Sequence, residues 1–182
     1  MTAARYTRTA IALHWLIALL ICGAFPLGLY MTGLPLSPRK LQLYSYHKWI
    51  GMVVLLLALL RLLWRLRHPP PPLVAGMPRW QALAAHGAHH ALYLLALALP
   101  LSGWLMSSAL GFPVVWFGVL PLPDLIGKNK ELGEVLKLVH EDLGYALLGV
   151  VLAHAGAALW HQFIDRDGTL ARMLPFLDRE KS

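Results

Sequence analysis

The residues with the most chemistry to offer are nine histidines: His14, His47, His68, His86, His89, His90, His140, His154 and His161. An ionisable side chain within a long apolar run is costly, and it marks function unless something simpler accounts for it. His68 abuts the run Pro69-Pro70-Pro71-Pro72 and reads as a solvated loop residue. His161 falls in the last turn of an apolar run, where an interfacial histidine needs no special role. His86, His89 and His90 open another run and share a helical face with Tyr93, at i, i+3, i+4 and i+7. The remaining four form a pattern. His140 and His154 are 14 residues apart, about 21 Å along one helix and within roughly 40° of the same direction. His47 and His14 sit at matching depths in two other runs. The expected pairs are His47 with His140 and His14 with His154.

Two histidines facing each other across helices, without Cys, Asp or Glu beside them, suit haem iron better than zinc. Structural zinc takes four protein ligands and catalytic zinc three plus water, whereas a porphyrin leaves two axial positions for the protein. A flat macrocycle also needs little bulk beside each ligand. Residue i+4 is small for all four candidates: Ala18, Gly51, Gly144 and Ala158. For the other five histidines it is Pro72, His90, Tyr93, Leu94 and Asp165.

The elements that must position these residues are long and apolar. Of 182 residues, 58% are hydrophobic and 14% charged, too few charges for a soluble globule and too many large apolar residues for a disordered chain. The apolar residues fall into four blocks of the roughly 20 residues that a spanning helix needs. The expected architecture is all-α: an integral membrane four-helix bundle with haems between helices. It forms one domain over 1–182, with spans at about 8–31, 41–66, 86–109 and 135–163. Gly33, Pro35 and Pro38 break the first junction, the proline run the second, and Pro113, Pro121, Pro123 and Gly127 the third. The first block, preceded by Arg5 and Arg8, has the look of a signal peptide. It is long enough to span, however, and it carries His14 beside Trp15. Cys22 is the one cysteine, so the chain has no internal disulfide and no cysteine-based metal site.

The net charge is +7, yet no basic block with interleaved aromatics points to nucleic acid. The cations flank the spans instead. With the N-terminus inside, Arg5, Arg8, Arg61, Arg65, Arg67, Arg79, Arg166, Arg172, Arg179 and Lys181 lie inside, against Arg39, Lys40, Lys48, Lys128, Lys130 and Lys137 outside. This bias places both termini in the cytoplasm.

Particular stretches carry a resemblance. Ala12-Leu13-His14-Trp15 lies in the first span, and Tyr46-His47-Lys48-Trp49-Ile50-Gly51 opens the second. Arg61-Leu62-Leu63-Trp64-Arg65 closes the second before the proline run. The third has His89-His90-Ala91-Leu92-Tyr93 and then Pro100-Leu101-Ser102-Gly103-Trp104, and the fourth has His140-Glu141 and then His154. In this order the chain resembles, over essentially its whole length, the bacterial cytochrome b561 family of four-span, di-haem membrane cytochromes. It is similar also to the cytochrome b subunits of hydrogenases and formate dehydrogenases. The resemblance implies two haem b groups ligated by His14, His47, His140 and His154, in the bacterial inner membrane. No Cys-x-x-Cys-His attachment motif is present, in keeping with non-covalent haem.

With both axial positions filled, the iron has no open site, and its task is one-electron transfer. The resemblance further implies a membrane quinone, ubiquinone or another, as acceptor and superoxide as donor at the outer face. Lys40, Lys48, Lys128, Lys130 and Lys137 would steer such an anion, or else they simply flank spans and neutralise propionates. Asp124, Glu131, Glu134 and Glu141 dilute their field. His89 and His90 are the candidates to border a quinone pocket beside the inner haem; a site near Lys48 and Trp49 is the competitor. An alternative function is an anchor subunit carrying electrons from a partner dehydrogenase or hydrogenase. A histidine-bearing transporter finds little support, with no paired carboxylates within the spans.

Overall fold

The computed structural model describes residues 5–74 and 76–174. Four helices follow in order: α1 (Arg8–Thr32), α2 (Pro38–Arg67), α3 (Arg79–Ala109) and α4 (Lys130–Trp160). Each is long and apolar enough to cross a bilayer, and together they form an all-α membrane bundle. Little of their apolar surface is turned inward: in the most apolar stretch of α1 only 6% is buried. Such exposure is untenable in water and correct in lipid.

Local chemistry sets the helix ends. Thr7 Oγ1 accepts from Ala10 N–H (3.2 Å) and Ser37 Oγ from Lys40 N–H (3.3 Å), with Pro38 in the first turn. Asn129 Oδ1 accepts from Leu132 N–H (3.0 Å). Each cap satisfies a donor that has no partner in its own helix. Two helices begin earlier than their apolar stretches: α3 at Arg79 rather than near 86, and α4 at Lys130 rather than near 135. The added turns are polar (Arg79-Trp80-Gln81 and Lys130-Glu131), so they extend past the apolar layer, and hydropathy alone does not register them. Arg179 and Lys181, counted above among the inner charges, lie outside the described residues.

Successive helices run antiparallel, and α1–α2, α2–α3 and α3–α4 pack as neighbours. By contrast, α4 makes few close backbone approaches to α1 or α2, which leaves a gap that side chains span. One end of the bundle carries the termini and the α2–α3 connection. The other carries a short hairpin, β1 (Val115–Trp116) against β2 (Leu120–Pro121), in a stretch that its prolines and glycines mark only as a break. Its three-residue loop, 117–119, uses positive φ at Phe117 (52°) and Gly118 (74°), a backbone shape that suits a tight hairpin.

Indole and ammonium donors pin this hairpin segment to the bundle. Trp49 Nε1 donates to Val115 O (2.7 Å), Lys48 Nζ to Phe112 O (2.9 Å) and Trp104 Nε1 to Pro123 O (3.1 Å). Beneath it Met52, Leu55 and Val114 form a buried core with Leu97, Trp104, Trp116 and Leu122 against it. The terminal end is closed by chain after α4. Trp15 Nε1 donates to Met173 O (2.9 Å) and Arg172 Nη1 to Pro72 O (2.6 Å).

Candidate functional site: two histidine pairs

The four helices bring the four singled-out histidines together in twos. At the hairpin end His47 on α2 faces His140 on α4, ring centroids 6.2 Å apart and planes at 83°. At the terminal end His14 on α1 faces His154 on α4, centroids 6.1 Å apart and planes at 70°. With a metal–imidazole bond of about 2.0 Å and a ring nitrogen roughly 1.1 Å from its centroid, two imidazoles on opposite sides of one metal stand about 6.2 Å apart. Both pairs meet that spacing, and both lie across the gaps where backbones do not touch. All four rings are half-buried.

The pairs differ in what holds the second ring nitrogen. His140 Nδ1 lies 3.0 Å from both Leu99 O and Ser102 Oγ, and the Ser102 hydroxyl itself donates to Leu99 O (2.7 Å). These acceptors favour a proton on Nδ1, which leaves the Nε2 lone pair free to bind a metal. His47 Nδ1 is buried and makes no hydrogen bond. The Ala24 carbonyl approaches that ring without reaching hydrogen-bond geometry. At the terminal end, Arg61 Nη1 stands 2.7 Å from His14 Nδ1, and Arg61 Nε donates to Tyr93 OH (3.1 Å). The guanidinium carbons of Arg61 and Arg65 lie 5.6 and 5.5 Å from the Tyr93 ring centre.

The small residues at i+4 prove to be only part of the steric account. A methyl group added at Gly51 would meet nothing within 4 Å, and one at Gly144 would meet only Phe25 at 3.9 Å. Those glycines border open space. The tight glycines are on the neighbouring helices: a Cβ at Gly103 would lie 2.9 Å from His140 Cε1, and one at Gly28 would lie 3.2 Å from His47 Cε1. The Pro100-Leu101-Ser102-Gly103 run was visible in the sequence. That it contacts His140, 38 residues away at Ser102, was not, because helix periodicity says nothing about neighbours across a bundle.

His89 and His90 lie at the terminal end. With Leu62, Arg65, Leu66, Pro69, Pro70 and Tyr93 they line a cleft of about 340 Å³. The His89 ring stands 5.4 Å from that of His154. This is closer than two imidazoles take across one metal, and α3 and α4 pack directly there. His86 is exposed, and its carbonyl is 2.7 Å from His90 Nδ1. His68 stacks on Trp64 at 4.1 Å, and His161 Nδ1 meets Asp167 (2.7 Å) and Asp165 (3.1 Å). At the hairpin end, Lys40 Nζ binds Thr32 O and Leu34 O, and Lys137 pairs loosely with Glu134 at 4.0 Å.

Comparison with known proteins shows the family. The family model described as prokaryotic cytochrome b561 matches residues 5–176. Cytochrome b561 homolog 2 of Escherichia coli is 35% identical over 174 residues, 95% of this chain and 93% of that protein. Cytochrome b561 homolog 1 of the same organism is 34% identical over 185 residues (94% and 97%). A Yersinia pestis protein named probable superoxide oxidase CybB is 33% identical over 173 residues (94% and 96%). The chain belongs to the prokaryotic cytochrome b561 family and is a multi-pass bacterial membrane protein of haem-based electron transport.

Proposed function

We propose that the protein is a superoxide:quinone oxidoreductase that carries electrons through two b haems stacked across the membrane. His47 and His140 would hold one haem, and His14 and His154 the other. The observation that carries this reading is the pair of ring separations, 6.2 and 6.1 Å, each across a gap between backbones. The hairpin end is read as the outer face and the terminal end as the cytoplasmic face, from the excess of arginine at the latter. Bound there, haem supplies a one-electron couple with no open coordination position.

The chain's residues account for the rest. Leu99 O and Ser102 orient His140, and Gly28 and Gly103 allow the adjacent helices to approach the outer rings. The hairpin segment is pinned to Lys48 and Trp49, which follow His47, and the chain after α4 is pinned to Trp15, which follows His14. At the outer face two superoxide ions each give up one electron and leave as dioxygen. Of the outer lysines, Lys40 and Lys48 are bound by carbonyls, and Asp124, Glu131, Glu134, Glu141 and Asp142 leave only a weak attractive field. At the inner face a quinone takes two electrons and two protons. The cleft, which His89 separates from His154, suits its ring: it is apolar, of fitting volume, and bordered by the imidazoles of His89 and His90. The superoxide assignment draws support from the Yersinia relative's name.

The test uses the purified chain alone. Xanthine oxidase supplies superoxide, and haem reduction is followed optically before and after addition of a quinone analogue. Reduction that superoxide dismutase abolishes, followed by re-oxidation with the quinone, supports the reading. Reduction only in the presence of a partner dehydrogenase would assign the chain as an anchor subunit instead.

A further inference from the structure

The geometry points to Arg61 as a positioning residue that makes the inner of the two redox sites the stronger electron acceptor, and so gives transmembrane transfer its inward direction. This rests on the two-site reading above and goes beyond it, since two ligand pairs by themselves say nothing about which way electrons run.

Arg61 sits in the last third of α2, half-buried, with its guanidinium 2.7 Å from His14 Nδ1. Its other partner is neutral, the Tyr93 hydroxyl at 3.1 Å. No Asp or Glu occurs anywhere in α1, α2 or α3, and the acids of α4 (Glu131, Glu134, Glu141 and Asp142) all lie in its outer half. Asp165 and Asp167, beyond α4, are engaged with His161. Among the described residues Arg61 therefore has no carboxylate partner. Arg65 adds a second cation on the other contact of Tyr93.

A fixed positive charge in a low-dielectric setting acts strongly on a neighbour that changes charge. A guanidinium only donates, so in this structure Arg61 bonds to the lone pair of His14 Nδ1. With a metal on Nε2 a neutral ring would carry its proton on Nδ1, and the Arg61 guanidinium would turn from that nitrogen, still held near the ring by Tyr93, and act as a neighbouring charge. It favours the ferrous state, which carries one positive charge fewer than the ferric. At the outer site the corresponding groups pull the other way. Leu99 O and Ser102 accept from His140 and make it a more electron-rich ligand. The ammonium of Lys48, the residue after His47, is drawn off to Phe112 O, with Asp124 in electrostatic range. With haem held by both pairs, an electron passing inward would leave the outer site one electron poorer and the inner one electron richer, with no proton moved between them.

The experiment is a potentiometric titration of the purified two-haem protein, with the two haems resolved by their optical and paramagnetic spectra, for wild type, Arg61→Gln and Arg61→Lys. In the wild type the inner haem is expected to take up the first electron. Arg61→Gln should shift the partition of that electron toward the outer haem by about tenfold or more, 59 mV for a one-electron couple, with the outer transition unmoved. Arg61→Lys should keep most of the wild-type separation. First reduction of the outer haem in the wild type overturns the inference. So do unmoved transitions in Arg61→Gln with both haems bound, or an Arg61→Lys shift as large as that of Gln. Should Arg61→Gln lose the inner haem, the wild-type order and the Arg61→Lys comparison still decide. A wild-type haem count below two would overturn the two-site reading itself, a result distinct from all of these.

Discussion

The two histidine pairs have nearly the same ring separation, 6.2 and 6.1 Å, but different means hold them in place. At the hairpin end the rings are fixed by close packing and by neutral acceptors: glycines of α1 and α3 press on them, and a carbonyl and a hydroxyl orient His140. At the terminal end no glycine touches a ring. There His14 answers to a cation, and the His154 ring has a third imidazole, His89, beside it. Equal geometry therefore does not mean equal chemistry. The hairpin-end pair is built for a fixed shape, while the terminal-end pair is built around charge, with His89 between it and a cleft.

The largest effect that tests this comparison is loss of a haem. His47→Ala and His140→Ala should each remove the outer haem, and His14→Ala and His154→Ala the inner one, so that a pyridine haemochrome assay falls from two haems per chain to one. If His14→Ala and His47→Ala erased the same spectral component, the pairing itself would be wrong.

The cleft belongs to the inner pair alone, and its contribution is kinetic. Replacing His89 and His90 together with Gln should slow re-oxidation by quinone by about a hundredfold or more, the range that a positioned proton donor contributes, with both haem spectra intact. Unchanged re-oxidation in a stopped-flow trace would move quinone chemistry toward the outer end, near Lys48 and Trp49.

Packing should matter more at the outer pair. Gly103→Ala puts a methyl group 2.9 Å from His140 Cε1, and overpacking of this kind typically costs about 1–3 kcal/mol. Outer-haem occupancy or the outer spectrum should change, whereas Gly51→Ala, facing open space, should be silent. Gly51→Leu or Gly144→Leu would fill that space and should lower outer-haem occupancy, with the inner haem retained. Equal behaviour of Gly103→Ala and Gly51→Ala in a haem-binding titration would remove the steric half of the comparison.

The smallest effect concerns the chain after α4, pinned to Trp15 beside His14. Burial tends to raise the Asp167 carboxyl, but hydrogen bonds from Thr169 N–H (2.8 Å) and His161 outweigh it and hold the group below its ordinary value. A depressed carboxylate stabilises the fold above its unfolded-state value and loses that contribution as pH falls through the folded one. Asp167→Asn should therefore weaken hydrogen-exchange protection of residues 161–174 about fivefold at neutral pH, the equivalent of one modest hydrogen bond. The difference should vanish once pH drops below the usual carboxylate range. A difference that persisted there would mean that Asp167 acts by shape rather than charge.

Much of this protein was legible in the sequence, for definite reasons. A bilayer demands long apolar helices, and proline and glycine breaks punctuate them, so the four spans and the all-α bundle follow from hydropathy. The 14-residue interval between His140 and His154 fixes their common face, because an isolated helix has one geometry. Those properties are local. What lies across a helix–helix contact is not: periodicity assigned small neighbours along the same helix, Gly51 and Gly144, while the glycines that touch the rings, Gly28 and Gly103, belong to adjacent helices. The polar first turns of α3 and α4 escaped hydropathy because they lie beyond the apolar layer. Nor does sequence spacing reveal that Arg61, 47 residues from His14, reaches its ring, or that a hairpin closes one end of the bundle. The sequence by itself determined how many helices span and which face of each carries histidine. Only the tertiary structure decided what stands beside each ring, since that depends on how the helices are rotated and packed against one another.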